Sequence, residues 1–152
     1  MQIGFSQNDP IITFGKNLTD QNKFDEAIIY YEKYLVAPIN EEQKVYILLG
    51  LAEIYKLKLN YKVANNYYGK AKEVINLIDN KELEFFHHVK MAEFYRKRGL
   101  FLEADGQLKL AELISKKKNI NDSFLAMFYS RKAALFTEHF FQPDSTLFYA
   151  NK

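Results

Sequence analysis

Small residues and large aromatic or apolar side chains return at fixed offsets along this chain. That repetition constrains its fold more than any other feature. In the first segment Gly15 and Leu18 are followed by Phe24, Ala27, Tyr31 and Tyr34. In the second, Ala52 and Tyr55 are followed by Tyr61, Ala64, Tyr68 and Ala71, and in the third, Ala92 and Tyr95 by Phe101, Ala104, Leu108 and Ala111. The spacing is the same in all three. A weaker fourth copy starts with Ala133 and Phe136 and continues with Gln142 and Ser145, so the units recur at steps of 37, 40 and 41 residues.

Offsets of three and four residues place side chains on one face of a helix. A small residue such as Ala52, Ala64, Ala92 or Ala104 lets a neighbouring backbone approach. The rings beside it fill the space around the crossing, each burying roughly 150–250 Å². One helical hairpin cannot cover its own apolar face, so copies must stack. The pattern predicts an all-α, right-handed superhelical stack of about four helix-turn-helix hairpins, an α-α solenoid.

Capping signals set the expected boundaries. Asp9-Pro10 opens a helix to about Leu18. The second runs from about Lys23 to Val36, ahead of Pro38, and Asn40 caps a third to about Leu57. The fourth spans Tyr61 to Ile78, the fifth Lys81 to Arg98, and the sixth Phe101 to Lys117. Asp122 caps a seventh to about Glu138, and Pro143-Asp144 open an eighth.

On these residues, best carried by "LGLAEIYKLKLNYKVANNYYGKA" and "KMAEFYRKRGLFLEADGQLKLA", the chain resembles the tetratricopeptide repeat family over about residues 10–152. The period is longer than the family's roughly 34 residues. The excess falls between Ala71 and Ala92 and between Ala111 and Ala133, which implies longer second helices or longer joints. The family's hairpin-turn glycine survives as Gly99, with Asn22 and Leu59 in its place elsewhere; Asn is the commoner substitute where φ is positive. The expected organisation is a lead of residues 1–7 and a single domain of 8–152, with repeats at about 9–38, 40–79, 81–118 and 121–152.

The last stretch, "STLFYANK", lacks the polar outer face of a solenoid cap, so the chain reads as a fragment of a longer protein. At the other end, Gly4 and Ser6 match the small-x-small pattern of a signal-peptidase site. That makes residues 1–7 a leader remnant and the protein periplasmic or otherwise exported. A natural start at Met1 and a cytoplasmic location are the alternative.

Composition narrows the function classes. A net charge of +2 from 21 basic and 19 acidic residues is too balanced for a chain built around phosphate neutralisation. The absence of Cys excludes thiolate chemistry and disulfides, and no run approaches the roughly 20 apolar residues of a membrane span. His87 and His88 are consecutive on a helix and diverge by about 100°, so they do not share a metal, whose helical ligands sit at i and i+4. His88 falls on the packing face. Gly15-Lys16 lacks the rest of a phosphate loop, and Glu41, Glu42, Asp25 and Glu26 sit in first turns, where the helix dipole favours them. Arg96-Lys97-Arg98 and Lys116-Lys117-Lys118 end helices and carry no interleaved aromatic platform. "NLT" at Asn17 and "NDS" at Asn121 match a glycosylation triplet that arises often by chance. Neither a catalytic, cofactor nor metal site is expected.

The first helices of stacked hairpins line a concave face. In the family that resemblance implies a surface for an extended peptide or a partner's helix. The residues off the packing stripe are Tyr46, Leu49, Glu53 and Lys56 in the second repeat, Phe86, Val89, Glu93 and Arg96 in the third, and Met127, Ser130 and Arg131 in the fourth. They depart from the members that clamp carboxylates, where Lys and Asn stand one turn apart; here Leu49 with Glu53, and Val89 with Glu93, hold those positions. Tyr46, Leu49 and Phe86 fit packing against neighbouring elements or another copy of the chain equally well. The expected function is a non-enzymatic protein or peptide interaction and sensing module, by resemblance the N-terminal region of a bacterial signalling or regulatory protein. The alternatives are a cytoplasmic peptide-responsive regulator and an oligomerisation scaffold dimerising through its uncapped last hairpin.

Overall fold

Three of the predicted hairpin turns close on the same hydrogen bonds. In the computed structural model, which describes residues 9–140, the amide of Lys23 donates to Leu18 O, that of Asn60 to Tyr55 O and that of Leu100 to Tyr95 O, at 2.8–2.9 Å. Inside each, a second bond runs from Asn22 to Thr19, Leu59 to Lys56 and Gly99 to Arg96. This paired arrangement is the Schellman motif, whose central residue must adopt the left-handed conformation. Asn22, Leu59 and Gly99 do so, with φ of 59°, 60° and 74°. Leu59 bears the steric conflict of that region, about 1–2 kcal/mol for an L-residue, with its side chain exposed.

The described residues are helical and contain no strand. They fall into two compact units, dividing after Asn80. The first holds α1 (Pro10–Asp20), α2 (Phe24–Leu35), α3 (Glu41–Leu57) and α4 (Tyr61–Ile78). The second holds α5 (Lys81–Lys97), α6 (Phe101–Ser115), α7 (Asp122–Leu135) and a π-helical turn, Phe136–Phe140. No described helix is long and apolar enough to cross a membrane.

In the first unit the start of α1 is tied to the start of α3. Asp9 Oδ1 accepts from Ile11 N at 2.8 Å, while Oδ2 accepts from Gln43 Nε2 at 2.8 Å. Gln43 also closes a capping box with Asn40, accepting from its amide at 3.0 Å and donating its own to Asn40 Oδ1 at 2.8 Å. Leu18, Ala27, Tyr31, Ile47, Leu51 and Ile54 form the core. The Tyr31 ring lies between two glycines: a Cβ at Gly15 would stand 2.3 Å from its Cζ, and one at Gly50 2.9 Å. Between α3 and α4 the rings of Tyr55 and Tyr67 stack at 5.6 Å.

The repeat alanines are where the pattern requires. Ala52 and Ala64 are fully buried, and Ala92 and Ala104 are at most 2% exposed. Ala64→Leu or Ala92→Leu overpacks its crossing and lowers stability by about 1–3 kcal/mol in chemical denaturation; an unchanged midpoint would contradict the packing. The additional length between repeats has two origins. After Ala71, α4 continues to Ile78 and buries Val74 and Ile75; after Ala111, α6 stops at Ser115 and the joint buries Ile120.

Half-buried Tyr30 and buried Tyr31 give the first unit an alkaline limit. Burial, and then Tyr34, push the Tyr30 hydroxyl up to about 12, and burial raises Tyr31 further still. An unfolded tyrosine ionises near pH 10, so the folded chain holds these protons more tightly. That stability is complete below about pH 10 and drains away as pH rises towards about 12. The denaturation midpoint therefore falls across that window, and Tyr31→Phe flattens the fall.

In the second unit α5 is buried around most of its circumference, which explains its weak amphipathic pattern. α7 holds Phe128 5.7 Å from Phe85 and Phe124 4.5 Å from Phe86, the latter pair stacked. Several boundaries differ from expectation. α1 runs on to Asp20. Asn121, rather than Asp122, caps α7, accepting from Phe124 N at 2.9 Å. The regular helix stops at Leu135, and Glu138 falls in the π-helical turn. Ala133 and Phe136, the small and aromatic positions that open the fourth copy, are both exposed, Phe136 to 43%. The lead of residues 1–7 and the helix opening at Pro143 lie outside the described residues.

Candidate functional site

Burial sorts the eleven groove residues. Leu49, Lys56, Phe86, Val89 and Glu93 are buried; Tyr46, Glu53, Arg96, Met127 and Arg131 are half-buried, and Ser130 is exposed. Expecting all of them on an open face treats each first helix as packed on one side only. α3 instead packs against α1, α2 and α4, and α5 against both α6 and α7. Side chains off the hairpin stripe are therefore covered by a further element. Phe86, stacked on Phe124 with the Lys90 ammonium 5.4 Å from its ring centroid, belongs to the interior.

Five of the eleven residues are held in ion pairs. On α3, Lys56 Nζ lies 2.8 Å from Glu53 Oε1, with the lysine side chain only 5% exposed. On α5, forty residues later and at the same repeat position, Glu93 and Arg96 form the equivalent pair. Arg96 Nη2 and Nε reach the two Glu93 oxygens at 2.9 and 3.0 Å, a bidentate fork. The second unit enlarges this pair into a four-residue network. Arg131 of α7 places its Nε 3.4 Å from Glu93 Oε2, and Arg96 Nη1 donates to Glu138 on the π-helical turn. Glu93, foremost, and Glu138 hold the Arg96 guanidinium more firmly protonated than usual. The network is charge-balanced, and it bridges α5, the C-terminal part of α7 and the turn beyond it. Met127 and Ser130 lie beside Arg131 on the neighbouring positions of α7.

Glu138 is the member that sequence reasoning missed. Its distance from Arg131 is seven residues, a plain helical repeat, but the register signal breaks at the π-helical turn, where one turn takes in an additional residue. Arg96 is engaged here rather than free for phosphate, and Arg98 lies over the Phe94 ring at 5.2 Å. His87 and His88 are buried with their rings 6.1 Å apart and close to perpendicular. His88 Nδ1 lies 2.8 Å from Gln107 Oε1, a link between α5 and α6. Asn121 is occupied as a cap and by Glu82. Among the described residues no three His, Asp or Glu side chains are grouped to hold a metal ion.

No protein-family model, curated protein or solved structure matches this chain.

Proposed function

We propose that this chain is a tetratricopeptide-like repeat module, stacking about four hairpins into a right-handed solenoid, and that it works by binding a segment of another protein rather than by catalysis. The Glu53–Lys56 and Glu93–Arg96 pairs carry this reading. They occupy one repeat position on successive first helices, off the stripe that closes each hairpin, with the cations largely buried. Ion pairs taken out of water return little net folding energy. Their recurrence is better accounted for by recognition, where fixed charges select a partner and set its register. The three identical turns and the buried repeat alanines support the repeat architecture.

The partner face is the α5–α7 side bearing Met127, Ser130 and Arg131, with Arg96 paired behind it, and it offers a polarisable side chain, a hydroxyl and the Arg131 guanidinium to a peptide. Selection of binders from a displayed random-peptide library on the purified chain tests this. Selected peptides lose at least about tenfold in affinity when Ser130→Arg or Arg131→Glu is introduced, with the helical circular dichroism unchanged. Peptides that bind both variants as they bind the parent chain place recognition elsewhere.

A further inference from the structure

α6 is apolar on two faces, and only one of them is covered. At about 3.6 residues per turn, Ala104, Leu108 and Ala111 share an arc of about 60°, and all three are buried in the second unit. Leu102, Gly106, Leu110 and Leu113 share an arc of about 80° on the opposite side, where the three leucines are 44–75% exposed. The other second helices, α2 and α4, carry one large exposed apolar side chain each, Ile29 and Leu77. Single residues of that kind need no explanation, whereas a contiguous row marks an interaction surface.

Gly106 stands in the middle of the row. An interior glycine weakens a helix, and nothing within the chain calls for this one. Its φ is not positive, and a Cβ there would meet nothing within 4 Å. What the missing side chain leaves is an outward notch between Leu102 and Leu110. Along one flank of the row Asp105 and Lys109 are paired at 2.7 Å, with the lysine side chain 72% exposed. This spacing is self-complementary. With a second α6 laid antiparallel, Leu110 of each helix falls opposite Gly106 of the other, Leu102 opposite Leu113, and Asp105 within a turn of the other copy's Lys109. Large meets small, and each carboxylate gains a second ammonium. Parallel copies would instead set like charges against each other. We propose that this chain dimerises through α6, a second copy lying antiparallel along the Leu102–Leu113 row with each Leu110 seated in the other copy's Gly106 notch. Such a twofold contact closes on itself. One helix pair buries less than the about 800 Å² per partner of a standard interface, so the dimer is reversible. The row shares no residue with the Glu93–Arg96 network, and peptide binding does not depend on it.

Sedimentation equilibrium of the purified chain over about a hundredfold range of concentration reads a monomer–dimer equilibrium. Leu110→Glu, at an exposed position, and Gly106→Gln, which improves helix propensity, leave the helical circular dichroism unchanged and raise the dissociation constant at least about tenfold. A chain that stays monomeric throughout, or a dimer that either variant keeps at the parent's affinity, overturns the proposal. Orientation is read separately, because the chain has no native cysteine. Equal amounts of the Leu102→Cys and Leu113→Cys chains, oxidised together with diamide, cross-link to each other rather than to themselves, since a disulfide needs Cβ atoms within about 4.5 Å. Mass spectrometry that finds two like chains in the linked dimers as often as one of each overturns the antiparallel register.

Discussion

Gly15→Val destabilises the first unit by about 3 kcal/mol, near the upper end of what overpacking a core does. A side chain at Gly15 collides with the Tyr31 ring, whose Cζ, Cε1 and Oη would lie 2.3–2.6 Å from the new Cβ. A tyrosine tip would ordinarily swing aside. This one is 2% exposed, its far side is limited by Gly50, and its hydroxyl reaches the Ile12 carbonyl. The ring has no second place to go. Helix propensity argues the other way, since replacing a helical glycine usually gains up to about 1 kcal/mol. Gly69 isolates that term, because a Cβ there meets nothing within 4 Å. Gly69→Ala therefore stabilises the chain slightly. Chemical denaturation followed by circular dichroism compares the two. A second substitution, Tyr31→Leu, makes Gly15→Val cheaper than in the parent chain, because the clash is pairwise. Equal behaviour at Gly15 and Gly69 would mean that the tyrosine is not seated between the glycines.

Arg96→Ala lowers the stability of the second unit by about 3 kcal/mol, the low end of the loss on breaking a buried pair. The loss comes from what stays behind. Glu93 is 6% exposed and loses both bonds of the Arg96 fork, while its contact to Arg131 is the longer one at 3.4 Å, so its charge is less well compensated in a poorly solvated place. Removing both partners has a different outcome. Glu93→Leu with Arg96→Met deletes both charges and keeps the volume, and its thermal stability matches or exceeds that of the parent chain. If the pair serves recognition, this double variant is stable and no longer binds the selected peptides. A double variant as unstable as Arg96→Ala would instead make the network a folding element.

The helices were legible because their signals are local. Asp9-Pro10 and Asn40 mark two N-termini, and both side chains cap as expected. The repeated small residues mark the crossings, and even Leu59, a poor choice for its turn, holds the same φ as Asn22. Asn121 and Asp122 are both good caps, and only the geometry of the chain entering α7 decides between them. The site was harder to read because it depends on third neighbours. Phe86 and Val89 lie off the hairpin stripe, and only the arrival of α7 or another packed element makes them interior. Glu138 joins Arg96 across forty-two residues, through a turn whose widened hydrogen bonding leaves no trace in the hydrophobic pattern.

Gln43 answers to two masters. Its amide nitrogen serves Asp9 and its amide oxygen serves Asn40, so one side chain secures the opening turns of two rods that are far apart in sequence. Fraying at either end must loosen the other, and the N-terminal boundary of the first unit opens as one latch instead of two independent ends.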